Sequence, residues 1–582
     1  MILKSLTLTI VAAICVASVI PVIWHGYSGT RAGKADEDYV SSKACIACHG
    51  DHYASWARTY HSRMTQDVDV SSVQGDFKHD NTLDYEGVHA TMTERNGSFF
   101  MNLQMPDKTS RSYQIERTVG SRRIEQYLTK EEGGYMRLPL AYDLVNRRWM
   151  SLNGSFFYPD NDNFFQHWST WDGNCVFCHN VKAQPHLNFQ TKKYSTEVAE
   201  LGIACGSCHG AGAAHADAAA SPFTRTYWRL SPTADRLITN PKKLSSERST
   251  MVCGHCHGQR VPEPFDRIQQ ILGNGDPFNA GEDLAAYYRP VTRDTKVGSY
   301  SFSNRFWSDG SPRLTAYEYQ GLVRSRCFTD GVPGNRINCL SCHSMHEGDA
   351  AGQIKPENRT DQPCLVCHEK YRGAEALVQH TGHLAESTGS RCYNCHMPRV
   401  VFGVMSVHPT HDITNPDPEL TVTQSIPNAC NQCHLDKSVN WAIAASKKWW
   451  PKRFALVQPS SDNQFDQPEG PRALFAGDSL VRALTAEAMG GGGPDKPDKN
   501  WAAPFLVEAF ADNYPIVRFF AANGLGAGGW RLPKPDYLGD AAGREITLEK
   551  WRALFGENGN KARMLADLFI ARRKDVDIEV GE

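Results

Sequence analysis

The sequence predicts a mainly α fold with long loops, a small β region inserted near its start, and a helical, repeat-like region at its C-terminus. Three observations predict it. A five-residue motif, Cys-x-x-Cys-His, occurs eight times between residues 45 and 434. Short alternating runs of apolar and polar residues crowd one motif-free stretch, 75–142. Amphipathic segments at helical spacing fill the chain beyond residue 471.

The motif copies are Cys45-Ile-Ala-Cys48-His49, Cys175-Val-Phe-Cys178-His179, Cys205-Gly-Ser-Cys208-His209, Cys253-Gly-His-Cys256-His257, Cys339-Leu-Ser-Cys342-His343, Cys364-Leu-Val-Cys367-His368, Cys392-Tyr-Asn-Cys395-His396 and Cys430-Asn-Gln-Cys433-His434. Each has the spacing of a covalent haem c attachment site: two thiols bond the porphyrin, and the adjacent histidine reaches the iron. A zinc or disulfide scaffold needs no histidine directly after the second cysteine, and here every copy has one. The motifs use sixteen of eighteen cysteines, leaving Cys15 in an apolar segment and Cys327 as a lone thiol. The predicted core is therefore a multihaem cytochrome c core holding eight covalently attached haem c groups.

At 582 residues the chain has room for two to four domains. A net charge of -2 gives no reason to expect nucleic acid as a partner. Large flat apolar cofactors can complete a core that 41% hydrophobic residues would otherwise build thinly. Residues 1–30 contain Lys4 and then an apolar run from Leu6 to Trp24, close to the roughly 20 residues that span a bilayer. No small-x-small cleavage site follows it, so an uncleaved signal anchor is expected, with a cleaved signal peptide as the alternative. Both place the rest of the chain on the periplasmic or extracytoplasmic side.

Residues 31–74 form a tether and the first motif, where Tyr53, Trp56, Tyr60 and His61 fall at helical spacings. The inserted β region, 75–150, shows strand-like runs at Val88–Glu94, Phe99–Met105 and Ser112–Glu116, with turn residues at Arg95-Asn96-Gly97 and Pro106-Asp107. Residues 151–440 carry motifs two to eight, beginning with aromatics that suit a packing shell around haem faces. Motifs five to eight are 25 to 40 residues apart, so neighbouring haems must lie close. Residues 441–470 read as a helix and linker. Residues 471–582 read as helices over Ala473–Met489, Ala502–Ala511, Ile516–Leu525, Leu548–Phe555 and Lys561–Arg573.

With the proximal set and His25 removed, thirteen histidines remain, enough to give every iron a second axial ligand. His61, His215, His346 and His408 or His411 are the first candidates. His380 and His383 form a pair just before the seventh motif, and His167 follows. His79 and His186 rank with His167; His52 and His89 rank lower. His255 lies within an attachment loop. His52 and His346 sit three residues after a proximal histidine, so each can reach a neighbouring iron but not its own. Met64, Met345, Met397 and Met405 are alternatives that would raise a haem's potential.

Several stretches resemble the multihaem c-type cytochromes related to the tetrahaem cytochromes of nitrifying bacteria. They are Cys45 to Met64, Leu138-Pro139-Leu140-Ala141-Tyr142-Asp143 with Arg148-Trp149, Cys205 to His215, Phe306 to Gly310, Glu318-Tyr319, Cys392 to Pro398, and His408-x-x-His411 with Asn415-Pro416 and Asn428-Ala-Cys430. The resemblance spans about residues 41 to 440 and implies electron transfer or small-molecule oxidoreduction. No Cys-x-x-Cys-Lys motif, the mark of one reductase type, is present.

The leading expectation is one-electron transfer along mostly bis-histidine haems in a membrane-linked respiratory chain. Its partners would be redox proteins or a membrane quinol-oxidising complex. An oxidoreductase acting on a small nitrogen or sulfur compound at one five-coordinate haem is the alternative, with Arg260, Arg324, Arg326 and Tyr319 as pocket candidates. A homo-oligomeric haem assembly is the third. Whether the chain is an enzyme stays open at this point.

Overall fold

The computed structural model describes residues 38–578, apart from 80, 162, 232–234, 315, 332–335, 404, 495–497, 528–535 and 577. The expected anchor therefore lies outside the described residues. Among those described, no helix is long and apolar enough to cross a membrane.

Two antiparallel sheets form the β region. The first has four strands in sequence order, Asn81–Tyr85, Val88–Arg95, Ser98–Gln104 and Ser110–Gln114. Asn96 and Gly97, both at positive φ, make the two-residue turn that pairs Arg95 with Ser98. One face alternates inward through Val88, Ala90 and Met92, then Phe99, Met101 and Leu103. The second sheet reaches beyond the expected boundaries. It runs from Thr65–Asp67 through Arg117–Val119, Ile124–Glu131 and Gly134–Asp143 to Ser169–Thr170, with Arg148–Ser151 also on Gly134–Asp143. The two sheets share a core of Phe77, Tyr127, Leu140 and Trp149.

Glu125 is fully buried in this region, accepting hydrogen bonds from the Gln74 and Gly75 backbone and from the Tyr127 hydroxyl. Burial raises its pKa against the lowering effect of these donors. The folded state therefore holds the proton more tightly than the unfolded state. Stability from this group is complete below the ordinary carboxylate range and is lost as pH rises through the raised value. Glu125→Gln should flatten that part of the stability–pH profile, as read by urea denaturation from pH 4 to pH 8.

The haem-motif region consists of short helices and loops with four two-stranded ladders. Beyond it, local chemistry moves several predicted helix boundaries. The helix expected over 440–454 divides into Val439–Trp449 and Pro451–Phe454, because a proline disfavours helical geometry at the residue before it, here Trp450. The stretch 473–489 divides into Glu469–Ala476 and Ser479–Glu487, where the Asp478 side chain caps the second helix at the Leu480 and Val481 amides. The last two predicted helices lie within the run Ala541–Ile570, which breaks between them at Gly556, where φ is 49° and the backbone is not helical.

These C-terminal helices do not form a separate unit. Leu480, Phe510, Ile516, Phe520, Trp551 and Phe569 belong to one apolar core with Ile124, Met150, Phe156, Phe306 and Val401. Gly490 and Gly524 permit the closest approach within it, since a Cβ on Gly490 would lie 2.8 Å from the Gly524 Cα. Arginine forks fasten the same interface. Arg518 grips Asp160 at 2.8 and 2.9 Å, Arg399 grips Glu487 at 2.6 and 2.7 Å, and Arg313 reaches Asp478.

Candidate haem-binding cavity

Most motifs form a short helical turn or lie at the start of one, as at Ile46–Trp56, Cys205–His209 and Cys392–His396, while the fourth begins at the end of the helix Ser246–Gly254. This places both cysteines and the histidine along one side of the turn. All eight motif histidines and fifteen of the sixteen motif cysteines line a single cavity of about 4200 Å³. Ordinary small-molecule pockets occupy roughly 300–1,000 Å³. The donor set and the size both fit several haem c groups.

Histidine rings meet across this cavity in a repeated geometry. Two metal–imidazole bonds of about 2 Å hold two rings with their centres about 6 Å apart. Six motif histidines meet a second histidine at that spacing. His49 faces His215 at 6.3 Å, His209 faces His346 at 6.1 Å and His257 faces His61 at 6.1 Å. His343 faces His411 at 6.3 Å, His396 faces His380 at 6.1 Å and His434 faces His383 at 6.0 Å. Both members of the His380/His383 pair are thus used, each toward a different motif.

Backbone carbonyls orient several of these rings. Nδ1 of His209, His343, His396 and His383 lies 2.7–2.9 Å from the carbonyls of Thr239, Gly352, Thr414 and Thr381. Such a bond puts the proton on Nδ1 and leaves the Nε2 lone pair for a metal. Burial lowers the pKa of His61 to about 3, helped by the neighbouring His257, His179 and His343. The ring is therefore neutral, the form that binds iron. These carbonyls carry no signal in the sequence.

Other candidates stand elsewhere. His408 lines the cavity, but its Nε2 is 2.9 Å from the Ser406 hydroxyl and its ring packs on Phe402. His167 is buried between Phe156 and Tyr158, away from the cavity wall, so the structure does not bring it to a proximal histidine. His52 stacks on His346 at 4.4 Å, too close for an ion between the rings. His79, His89, His186 and His255 lie beside Asp76, Asp84, Glu197 and Asp276. Met64, Met345 and Met397 line the cavity, whereas Met405 belongs to the apolar core. Of the pocket candidates, Tyr319, Arg324 and Arg326 line it, with the arginines paired to Asp412 and Asp330. Arg260 packs on Tyr288 near Asp276 instead.

The attachment cysteines form a continuous series. Cys45 and Cys205, Cys178 and Cys256, Cys253 and Cys339, and Cys364 and Cys392 lie close enough for each thiol to perturb the other. Cys208 lies in electrostatic range of Cys253 and Cys256, Cys342 of Cys364, and Cys395 of Cys433. Every motif therefore adjoins another. The fourth adjoins the second, third and fifth.

Residues 332–373, which span the fifth and sixth motifs, match the family model of the doubled CXXCH motif. No curated protein matches the chain. The crystal structure of the outer cell wall cytochrome OcwA is similar over 88% of this chain and 99% of that one, at 16% identity and a TM-score of 0.47. With eight attachment motifs gathered on one cavity and two of them inside the matched segment, the chain is a multihaem c-type cytochrome with covalently bound haem c.

Proposed function

We propose that the chain carries eight haem c groups and passes electrons one at a time along them. The observation that carries this reading is that all eight motif histidines line one cavity, with attachment cysteines of each motif near those of another. When bound, each haem supplies a one-electron iron couple. The chain's own residues do the rest. The cysteine pairs would hold each group covalently, and the paired histidines would ligate six of the irons. Carbonyls of Thr239, Gly352 and Thr414 lock ring orientation. Little then moves when an electron arrives.

The resemblance of several stretches to the nitrifier tetrahaem cytochromes agrees with the same reading. The apolar N-terminal run supports an extracytoplasmic location with membrane attachment, and a quinol-oxidising complex or soluble redox protein as partner. Haem content by mass spectrometry, together with electron paramagnetic resonance of the oxidised protein, tests the count and the ligation. Fewer than eight haems, or mostly high-spin iron, would remove the reading. His346→Met should raise the potential of the haem at the third motif and leave the others in place, as followed by spectropotentiometry.

A further inference from the structure

The helix Pro222–Leu230 has two unlike faces. Pro222 opens it, and the Ser221 hydroxyl accepts from the Thr224 amide at its start. Its inner face fixes it to the haem region. Thr224 is buried, Arg225 lines the cavity, and the Trp228 ring stacks on His215 at 5.1 Å. The outer face carries Phe223, Tyr227 and Leu230, which are 78%, 52% and 82% exposed. At spacings of four and three residues these side chains form one stripe. Exposed apolar residues scattered singly need no explanation, but three in register mark an interaction surface. None of the three lines the haem cavity, so a bound haem does not cover them.

The course of the chain indicates the occupant. The Ala213 amide donates to the Asp38 carbonyl at 3.0 Å, so the described chain begins against the helix Ala213–Ala219, which leads directly into Pro222–Leu230. A Cβ on Gly212 would lie 3.2 Å from the Val40 side chain, so this first segment is closely seated. Thirteen residues separate the apolar run Leu6–Trp24 from Asp38. Fully extended, they reach about 45 Å. A bilayer entered by that run therefore lies within reach of the stripe. A helix of 9 residues cannot cross a bilayer but can lie along its surface, with its apolar side toward the acyl chains. Tyr227 suits that boundary, with an apolar ring and a polar hydroxyl. Of the two arginines on the helix, Arg225 turns to the cavity and Arg229 is exposed, so apolar contact rather than attraction to anionic lipid is the main force.

We propose that Phe223, Tyr227 and Leu230 insert into the surface of the membrane that the N-terminal run enters. This rests on the membrane attachment proposed above and adds an orientation to it. On the opposite side of the same helix Trp228 stacks on His215, and His215 faces His49 of the first motif. The first motif is also one end of the cysteine series, joined to the third through Cys45 and Cys205. The inserted helix thus holds the start of the electron path beside the lipid, where a lipid-soluble electron donor can reach it.

The test uses the full-length holoprotein in phosphatidylcholine nanodiscs that contain a phosphatidylcholine with a diazirine on its acyl chain. After irradiation, labelled peptides are mapped by mass spectrometry. Label is expected within residues 6–24 and 222–230. Phe223→Ser with Leu230→Ser should lower the label at 222–230 about tenfold and leave the label at 6–24 and the haem content unchanged. Phe223→Leu with Leu230→Phe keeps the apolar area and should keep the label. Label at 6–24 without label at 222–230 would overturn the proposal and leave membrane attachment standing. Label at neither segment would overturn that attachment as well. Equal label at 222–230 in the serine variant would mean proximity without insertion and overturn the proposal. An unlabelled 222–230 together with a dimer that the serine variant dissociates would give the face to a second copy of the chain instead.

Discussion

Replacing Arg518 with alanine is expected to destabilise the C-terminal region by about 3 kcal/mol, the cost of breaking a buried ion pair by removing one partner. Arg518 has no exposed surface. Its guanidinium donates to both carboxylate oxygens of Asp160 and to the Tyr537 and Asp512 carbonyls. Truncation leaves two buried carbonyls unsatisfied and Asp160 holding only Arg544. The figure lies at the low end of the usual range because Asp160 keeps some contact with water. Limited proteolysis and urea denaturation would show it as early release of residues beyond 471. Arg518→Lys should recover only part of the loss, since an ammonium cannot reproduce the fork. A variant as stable as the parent would mean that the apolar interface alone holds the region.

The second large effect is expected from Cys253→Ser with Cys256→Ser. Haem content should fall by one per chain. The fourth motif adjoins the second, third and fifth through Cys256 with Cys178, Cys208 with both of its thiols, and Cys253 with Cys339. Its loss divides the series into a first–third pair, a solitary second group, and a fifth-to-eighth run. Reduction from one end should then be incomplete on the time scale of the parent, and stopped-flow absorbance at the haem bands would resolve separate phases. The same substitution in the eighth motif, Cys430→Ser with Cys433→Ser, should also remove one haem but leave a single phase. A single phase in both variants would show that electrons pass between the groups by another route.

That the chain carries covalently bound haem c was legible, because Cys-x-x-Cys-His is a local motif. The strands at Val88–Arg95 and Ser98–Gln104 were legible from alternation and the Asn96-Gly97 turn. Which histidine meets which motif was not legible. His61 follows the first motif yet faces His257 of the fourth, and His346 follows the fifth yet faces His209 of the third. Such pairings depend on how distant segments fold together, and helical spacing could only exclude a histidine from its own iron. His167, also a candidate, is not brought to a motif histidine, because the aromatic shell of Phe156 and Tyr158 encloses it.

The fork between Arg518 and Asp160 joins residues 358 positions apart, and the Arg544 contact spans 384. Asp160, near the start of the haem-motif region, is thus tied by Arg518 and Arg544 near the other end of the chain. Contacts of such separation form late and slowly, because a long loop must close first. The helices beyond residue 471 are also made after the eighth motif. They act as a latch that cannot shut until every attachment motif has been synthesised. A chain truncated anywhere in this segment retains all eight motifs but lacks the contacts that hold the β region against them.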